Sequence, residues 1–158
     1  MKTNQLITLI SHSPQETRSV GMRLGTLLLP GDVICLQGEL GAGKTTFTQG
    51  LAQGWGSLDA VSSPTFIIVT VYRRANNEQL YHLDTYRLES APEAEELDIE
   101  TMLMQGPLIV EWPERMQSVL PAERLWIRLE YLDDSERQLH FEARGKRAVE
   151  LLERINLP

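Results

Sequence analysis

Residues 38 to 46 read Gly-Glu-Leu-Gly-Ala-Gly-Lys-Thr-Thr and fit G-x-x-x-x-G-K-[ST], a pattern that functions only between a strand and a helix. Gly38, Gly41 and Gly43 let the backbone bend around a phosphate without Cβ clashes. The amides from Glu39 to Thr45 can then converge as a nest of donors. Lys44 reaches the β- and γ-phosphates, and the Thr45 hydroxyl is a ligand for Mg²⁺. A helix opening here adds its positive dipole end. The flanks supply the required setting. Val33-Ile34-Cys35-Leu36 is a short apolar run of the kind a buried strand shows. Phe47, Leu51 and Ala52 lay an apolar stripe on the following helix, and Gly54 is its expected C-terminal cap. The expected nucleotide-binding set is Gly38, Glu39, Leu40, Gly41, Ala42, Gly43, Lys44, Thr45 and Thr46.

A chain of 158 residues suits one domain, 1–158, with a core large enough to need no staple. The one cysteine, Cys35, offers none, and its place in a strand-like run gives it a packing role in a reducing cytosol. A formal net charge of −7 excludes unaided nucleic-acid binding and disfavours anionic membranes. No apolar run approaches a membrane span, and the N-terminal stretch reads as a strand and not a signal peptide. The expected location is cytoplasmic.

Leu6–Ile10 forms a first strand. Ser13 caps a helix that begins at Pro14, with Glu16 completing a capping box and Val20, Leu24, Leu27 and Leu28 on one face. After the P-loop helix, Phe66–Tyr72 and Gln79–Leu83 flank Asn76-Asn77 as an antiparallel hairpin set into a βα pattern. Pro92–Met104 reads as one helix that buries Leu97 and Met104. Pro107–Val110 is a buried strand ending on Glu111. Leu125–Leu132 and Gln138–Ala143 pair across a turn, and Ala148–Ile155 is a terminal helix. The expected fold is α/β: a mixed, mostly parallel P-loop sheet flanked by helices, with an antiparallel hairpin.

A P-loop alone binds phosphate; hydrolysis also needs a second Mg²⁺-holding carboxylate and a group that positions the nucleophile. Glu111 projects from a strand's carboxyl end, where open α/β sheets place their sites, and is the metal candidate with Thr45. Asp84 ends the second hairpin strand and could share either role; the division between the two acids stays open. Thr65, between the P-loop helix and the next strand, occupies the place of a switch threonine. The catalytic candidates are thus Asp84, Glu111 and Thr65. Arg87 could neutralise transition-state charge or pair with surface acids such as Glu89. His82 reads as packing, and Trp112 as core or pocket wall. The guanine-reading N-K-x-D pattern is missing, since Asn76-Asn77 precedes Glu78, so ATP is favoured over GTP. The adenine is expected near Ser11 and the loop Arg144-Gly145-Lys146, whose basic side chains could equally be solvated.

Four elements occur in order: GELGAGKTT, SPTF at 63–66, HLDTYR at 82–87 and VEWPER at 110–115. Together they resemble the TsaE family, also called YjeE, the small P-loop ATPase of bacterial tRNA threonylcarbamoyladenosine biosynthesis. The resemblance spans almost the whole chain, and the C-terminal third carries little motif. It implies ATP/ADP and Mg²⁺ as ligands, TsaD and TsaB as partners, and tRNA met only through that complex. It also implies that Lys44 and Thr45 bind phosphate and Mg²⁺, that Thr65 lies in a switch-like loop, that Asp84 and Glu111 are essential acids, and that Trp112 flanks the site. Two other functions fit the P-loop. A small kinase would need an arginine-bearing lid after Glu111, and Pro113–Arg124 is short for one. A nucleotide-gated binding module would need no turnover.

Overall fold

The computed structural model describes residues 3–61 and 68–155. One seven-stranded sheet organises them, in the order β1-β7-β6-β2-β5-β4-β3. Its strands are β1 (Asn4–Ser11), β2 (Val33–Gln37), β3 (Val69–Arg73), β4 (Gln79–Asp84), β5 (Leu108–Glu111), β6 (Arg124–Tyr131) and β7 (Arg137–Arg144). The centre, β6-β2-β5-β4, is parallel. Antiparallel pairs close both edges: β3 with β4 on one side, and β7 with β6 and β1 on the other. This is the mixed, P-loop-type α/β sheet expected from the sequence. Among the described residues no helix is long and apolar enough to cross a membrane.

Alternation in the central strands divides the core. Ile34, Leu36 and Ile109 face helices α1 (Pro14–Gly25), α2 (Lys44–Trp55) and α5 (Lys146–Arg154). Val33, Cys35, Leu108 and Val110 face α3 (Ala91–Glu95), α4 (Ile99–Gln105) and the residues that follow β5. That second layer centres on β2, β5 and β4 and reaches Val69 of β3 and Trp126 of β6. Over the rest of β6, β7 and β1 the same face is polar, with ion pairs from Glu130 to Arg128 and to His140, and Leu6 stays 77% exposed. Cys35 is fully buried, and burial pushes its thiol up to about 12, as its packing role requires.

Ser13 caps α1 by accepting from the Glu16 N–H at 3.1 Å, while the Glu16 carboxylate accepts from the His12 N–H, one residue earlier than in the usual box. Residues 92–104 do not form one helix. The five acids from Glu93 to Glu100 would repel at helical spacing, and the chain breaks at Asp98, which adopts φ 53°. The break lets Leu97, Ile99 and Leu103 reach the core and leaves Met104 83% exposed, contrary to its expected burial. Residues 66 and 67 of the expected third strand lie outside the described residues.

Gly54 is not the cap of α2. The helix runs on to Trp55 and ends at Gly56, which takes φ 99°. Gly54 instead belongs to a four-glycine seam between α1 and α2. A Cβ on Gly21 would lie 2.5 Å from the Phe47 carbonyl oxygen, and one on Gly25 would lie 2.2 Å from that of Leu51. Reciprocally, Gly50 meets the Arg18 carbonyl at 2.2 Å and Gly54 that of Met22 at 2.1 Å. Every one of these neighbours is backbone, so no rotamer change relieves the clash. Gly50→Ala should therefore lower stability by about 1–3 kcal/mol through overpacking, although alanine favours a helix by roughly 1 kcal/mol. Urea unfolding would show it; an unchanged or raised midpoint would mean that the helices do not touch there.

Candidate functional site

The P-loop leaves β2 at Gln37 and enters α2 at Lys44. Gly38 is needed because a Cβ would stand 2.7 Å from the Leu129 carbonyl oxygen on β6. Gly41 and Gly43 take φ 82° and 102°, the left-handed region that folds the loop back on itself. The Ala42 N–H donates to the Glu39 carbonyl, and Arg137 on β7 donates to the Gly41 carbonyl at 3.0 Å. Leu40 is 82% exposed, whereas Ala42 is buried. Unlike α1, α2 has no side-chain cap, so its first-turn amides, including those of Thr45 and Thr46, lack the acceptor that a capping side chain supplies. Lys44 is 6% exposed and its buried Nζ has no hydrogen-bond partner. Burial lowers its pKa, opposed by the charges of Glu111, Asp84, Glu114 and Glu39. An orphaned buried ammonium beside uncapped amides fits a phosphate group.

Asp84 and Glu111 are register partners at the ends of adjacent parallel strands, β4 and β5. Both stand on the face that carries α2, because they alternate with Leu83 and Val110 of the opposite core layer. Burial raises the Asp84 pKa, opposed by the Tyr86 N–H that its carboxylate accepts at 3.0 Å, while the Glu111 charge adds to the rise. Among the described residues no group of three or more metal-ligating side chains exists. Two carboxylates beside a phosphate cradle fit Mg²⁺, which binds through one or two carboxylates together with substrate phosphates.

Trp112 follows β5 at φ 59° and lays its indole over Lys44, with Nζ 3.8 Å from the ring centroid. Tyr86 packs against the indole at 4.9 Å. Thr85, fully buried, shares its one hydroxyl hydrogen between the carbonyls of Glu111 (2.8 Å) and Trp112 (2.6 Å). The strand-end segments HLDTYR and VEWPER therefore clamp each other, and Thr85 is a site residue that sequence reasoning missed.

His82 was missed too. It is not apolar packing: Nε2 lies 2.6 Å from Glu111 Oε2, and Nδ1 lies 2.9 Å from the Tyr72 hydroxyl. The signal was its two-residue spacing from Asp84, which sets both on one face of β4. Arg137 carried no recognisable signal, because its contact with the P-loop depends on β7 pairing.

Ser11 lies at the P-loop end of the sheet, opposite Arg137 on β7. Its hydroxyl is engaged with Thr17 at 2.7 Å and with the Ser13 carbonyl, and it is 1% exposed. The loop Arg144-Gly145-Lys146 lies at the opposite end, since Arg144 pairs with Asn4. Seven strand residues, about 24 Å, separate the two, so they cannot flank one base. Thr65 lies outside the described residues, and Arg87 is exposed after β4.

The chain is similar to known proteins over most of its length. The sequence model of the family described as threonylcarbamoyl adenosine biosynthesis protein TsaE matches residues 11–139. The tRNA threonylcarbamoyladenosine biosynthesis protein TsaE of Bacillus subtilis is 41% identical over 145 residues, covering 91% of this chain and 90% of the relative. Its namesake from Treponema pallidum is 40% identical over 131 residues, covering 82% and 96%. The crystal structure of YdiB from Bacillus subtilis superposes with a TM-score of 0.78 and 33% identity over 98% of this chain and 97% of that one. The family match takes in the P-loop and both strand-end acids, and the chain belongs to the TsaE family.

Proposed function

We propose that the protein is an ATPase of the tRNA threonylcarbamoyladenosine pathway, which binds ATP and Mg²⁺ and hydrolyses ATP while bound to TsaD and TsaB. The observation that carries the ATPase reading is the buried, unpartnered Lys44 ammonium at an uncapped helix start, with Asp84 and Glu111 across adjacent strand ends. The pathway and the partners rest on the family.

In this reading the P-loop amides and Lys44 hold the β- and γ-phosphates. Thr45 and Glu111 would hold Mg²⁺, which when bound supplies charge neutralisation on the phosphate oxygens. Asp84 keeps a basic carboxylate near the phosphate, where it can orient the attacking water. Arg137 braces the loop through the Gly41 carbonyl. Trp112 shields Lys44 from water until a phosphate takes its place. Glu39 and Glu114 contribute negative charge near Lys44 that opposes the lowering of its pKa by burial.

Slow turnover of the isolated chain follows from how its arginines are engaged. Arg115 donates to the Leu88 carbonyl, Arg124 to that of Pro121, and Arg137 to that of Gly41. Those same engagements speak against a kinase lid: the segment after Glu111 folds into two short 3-10 turns, Pro113–Arg115 and Gln117–Val119, before β6.

The deciding experiment is a pull-down of TsaD-TsaB by this protein with and without ATP, followed by hydrolysis in the recovered complex. Hydrolysis stimulated at least about tenfold over the isolated chain is expected; fast turnover alone, unaffected by the partners, would overturn the reading. Lys44→Ala should weaken nucleotide binding by about 10- to 100-fold in calorimetry, the range of a lost charge-assisted contact. Glu111→Ala should reduce Mg²⁺-dependent hydrolysis far more than metal-free ADP binding. Equal losses in both would exclude a metal role.

A further inference from the structure

Glu111 is held from one side only. Its Oε2 meets His82 Nε2 at 2.6 Å, and among the described residues its Oε1 makes no hydrogen bond. His82 in turn meets the Tyr72 hydroxyl through Nδ1 at 2.9 Å. The three side chains form a line across β3, β4 and β5, and His82 and Tyr72 are 1% and 2% exposed. Leu80, two residues earlier on the same face of β4, shows what this core takes at an ordinary position. An imidazole buried there would be costly unless both nitrogens were satisfied. Here both are, one by a hydroxyl and one by a carboxylate.

The line also fixes a direction. An ionised carboxylate can only accept, so Glu111 takes its hydrogen from His82, and Nδ1 is the nitrogen left to accept from the Tyr72 hydroxyl. That leaves the imidazole hydrogen on Nε2, pointed at Glu111 Oε2. A carboxylate fixed by one oxygen loses the freedom to rotate, and its second oxygen is the one left for a ligand. Outer partners of this kind orient metal-binding carboxylates, and losing one costs about 10–100-fold in metal affinity.

We infer that His82 is a positioning residue that, backed by Tyr72, fixes the Glu111 carboxylate through Oε2 and reserves Oε1 for the cation that accompanies the nucleotide. This rests on the Mg²⁺-nucleotide reading above. His82 itself touches neither nucleotide nor cation.

The test uses the full chain and the non-hydrolysable analogue AMP-PNP. Its affinity is measured calorimetrically in EDTA and in Mg²⁺, and the ratio of the two reports the contribution of the metal. His82→Leu should leave the metal-free affinity within about twofold and cut the Mg²⁺ enhancement by about tenfold or more. His82→Gln offers an amide N–H at nearly the same place and should restore the enhancement to within about threefold. Tyr72→Phe, which removes only the hydroxyl, should fall between the unsubstituted protein and His82→Leu. Melting temperatures of all three variants separate positioning from folding. A merely structural His82 would lower metal-free and Mg²⁺-dependent affinities together, or would leave Gln no better than Leu at equal stability, and either result overturns the inference. If the unsubstituted protein shows no Mg²⁺ enhancement, the Mg²⁺-nucleotide reading itself fails and takes this assignment with it.

Discussion

A buried ammonium with no hydrogen-bond partner is the interaction on which the rest of the site depends. Lys44 is withdrawn from water at the first turn of α2, and desolvation lowers its pKa. Surrounding carboxylates and the face of Trp112 oppose that lowering. The arrangement places acids at the ends of two neighbouring parallel strands, and it places the indole on a left-handed residue directly after one of them. Strand register, the Thr85 clamp and the backbone of Trp112 all serve one local electrostatic problem. The same preorganised charge is what a polyphosphate would meet.

What could be read from the sequence follows from how local each signal is. The P-loop motif spans nine residues, and its strand and helix neighbours are contiguous, so the fold class and the strand-loop-helix setting were legible. Ser13, Pro14 and Glu16 marked the start of α1 for the same reason. Asp84 and Glu111 were visible because strand-end acids stand out against aliphatic runs. His82, Thr85 and Tyr72 were not, because each acts across a pairing of strands far apart in sequence. Their meaning appears only once β4 lies between β3 and β5. Gly54 was misread because a glycine near a helix end looks like a cap, while its true partner is a carbonyl on another helix. The helix over 92–104 failed because apolar spacing was read without the repulsion among its acids.

The sheet is finished differently on its two faces. α1, α2 and α5 cover one face, whereas the opposite layer ends at Trp126 of β6 and leaves the rest of β6, β7 and β1 with a polar ladder. Exposure of that half is compatible with stability because its side chains pair with one another, as Glu130 does with Arg128 and His140. Arg147 ties the covered face together at its far end through a bidentate pair with the buried Asp32, 2.9 Å at each contact. That pair lies away from the P-loop and belongs to the scaffold.

The glycine seam has a mechanical consequence. With main chain seated on main chain at the four glycines, α1 and α2 have no side chains along that seam to accommodate sliding or rolling. The pair behaves as a single rigid bearing block, and the P-loop is its rim. For a bound nucleotide, as proposed above, a change in phosphate count would meet resistance from α2 and its glycine seam. Such a change would fall on the opposite wall, where the contacts are between side chains, Lys44 with Trp112 and Trp112 with Tyr86. In that reading the P-loop would be the anvil, and the aromatic side chains opposite it the part that gives.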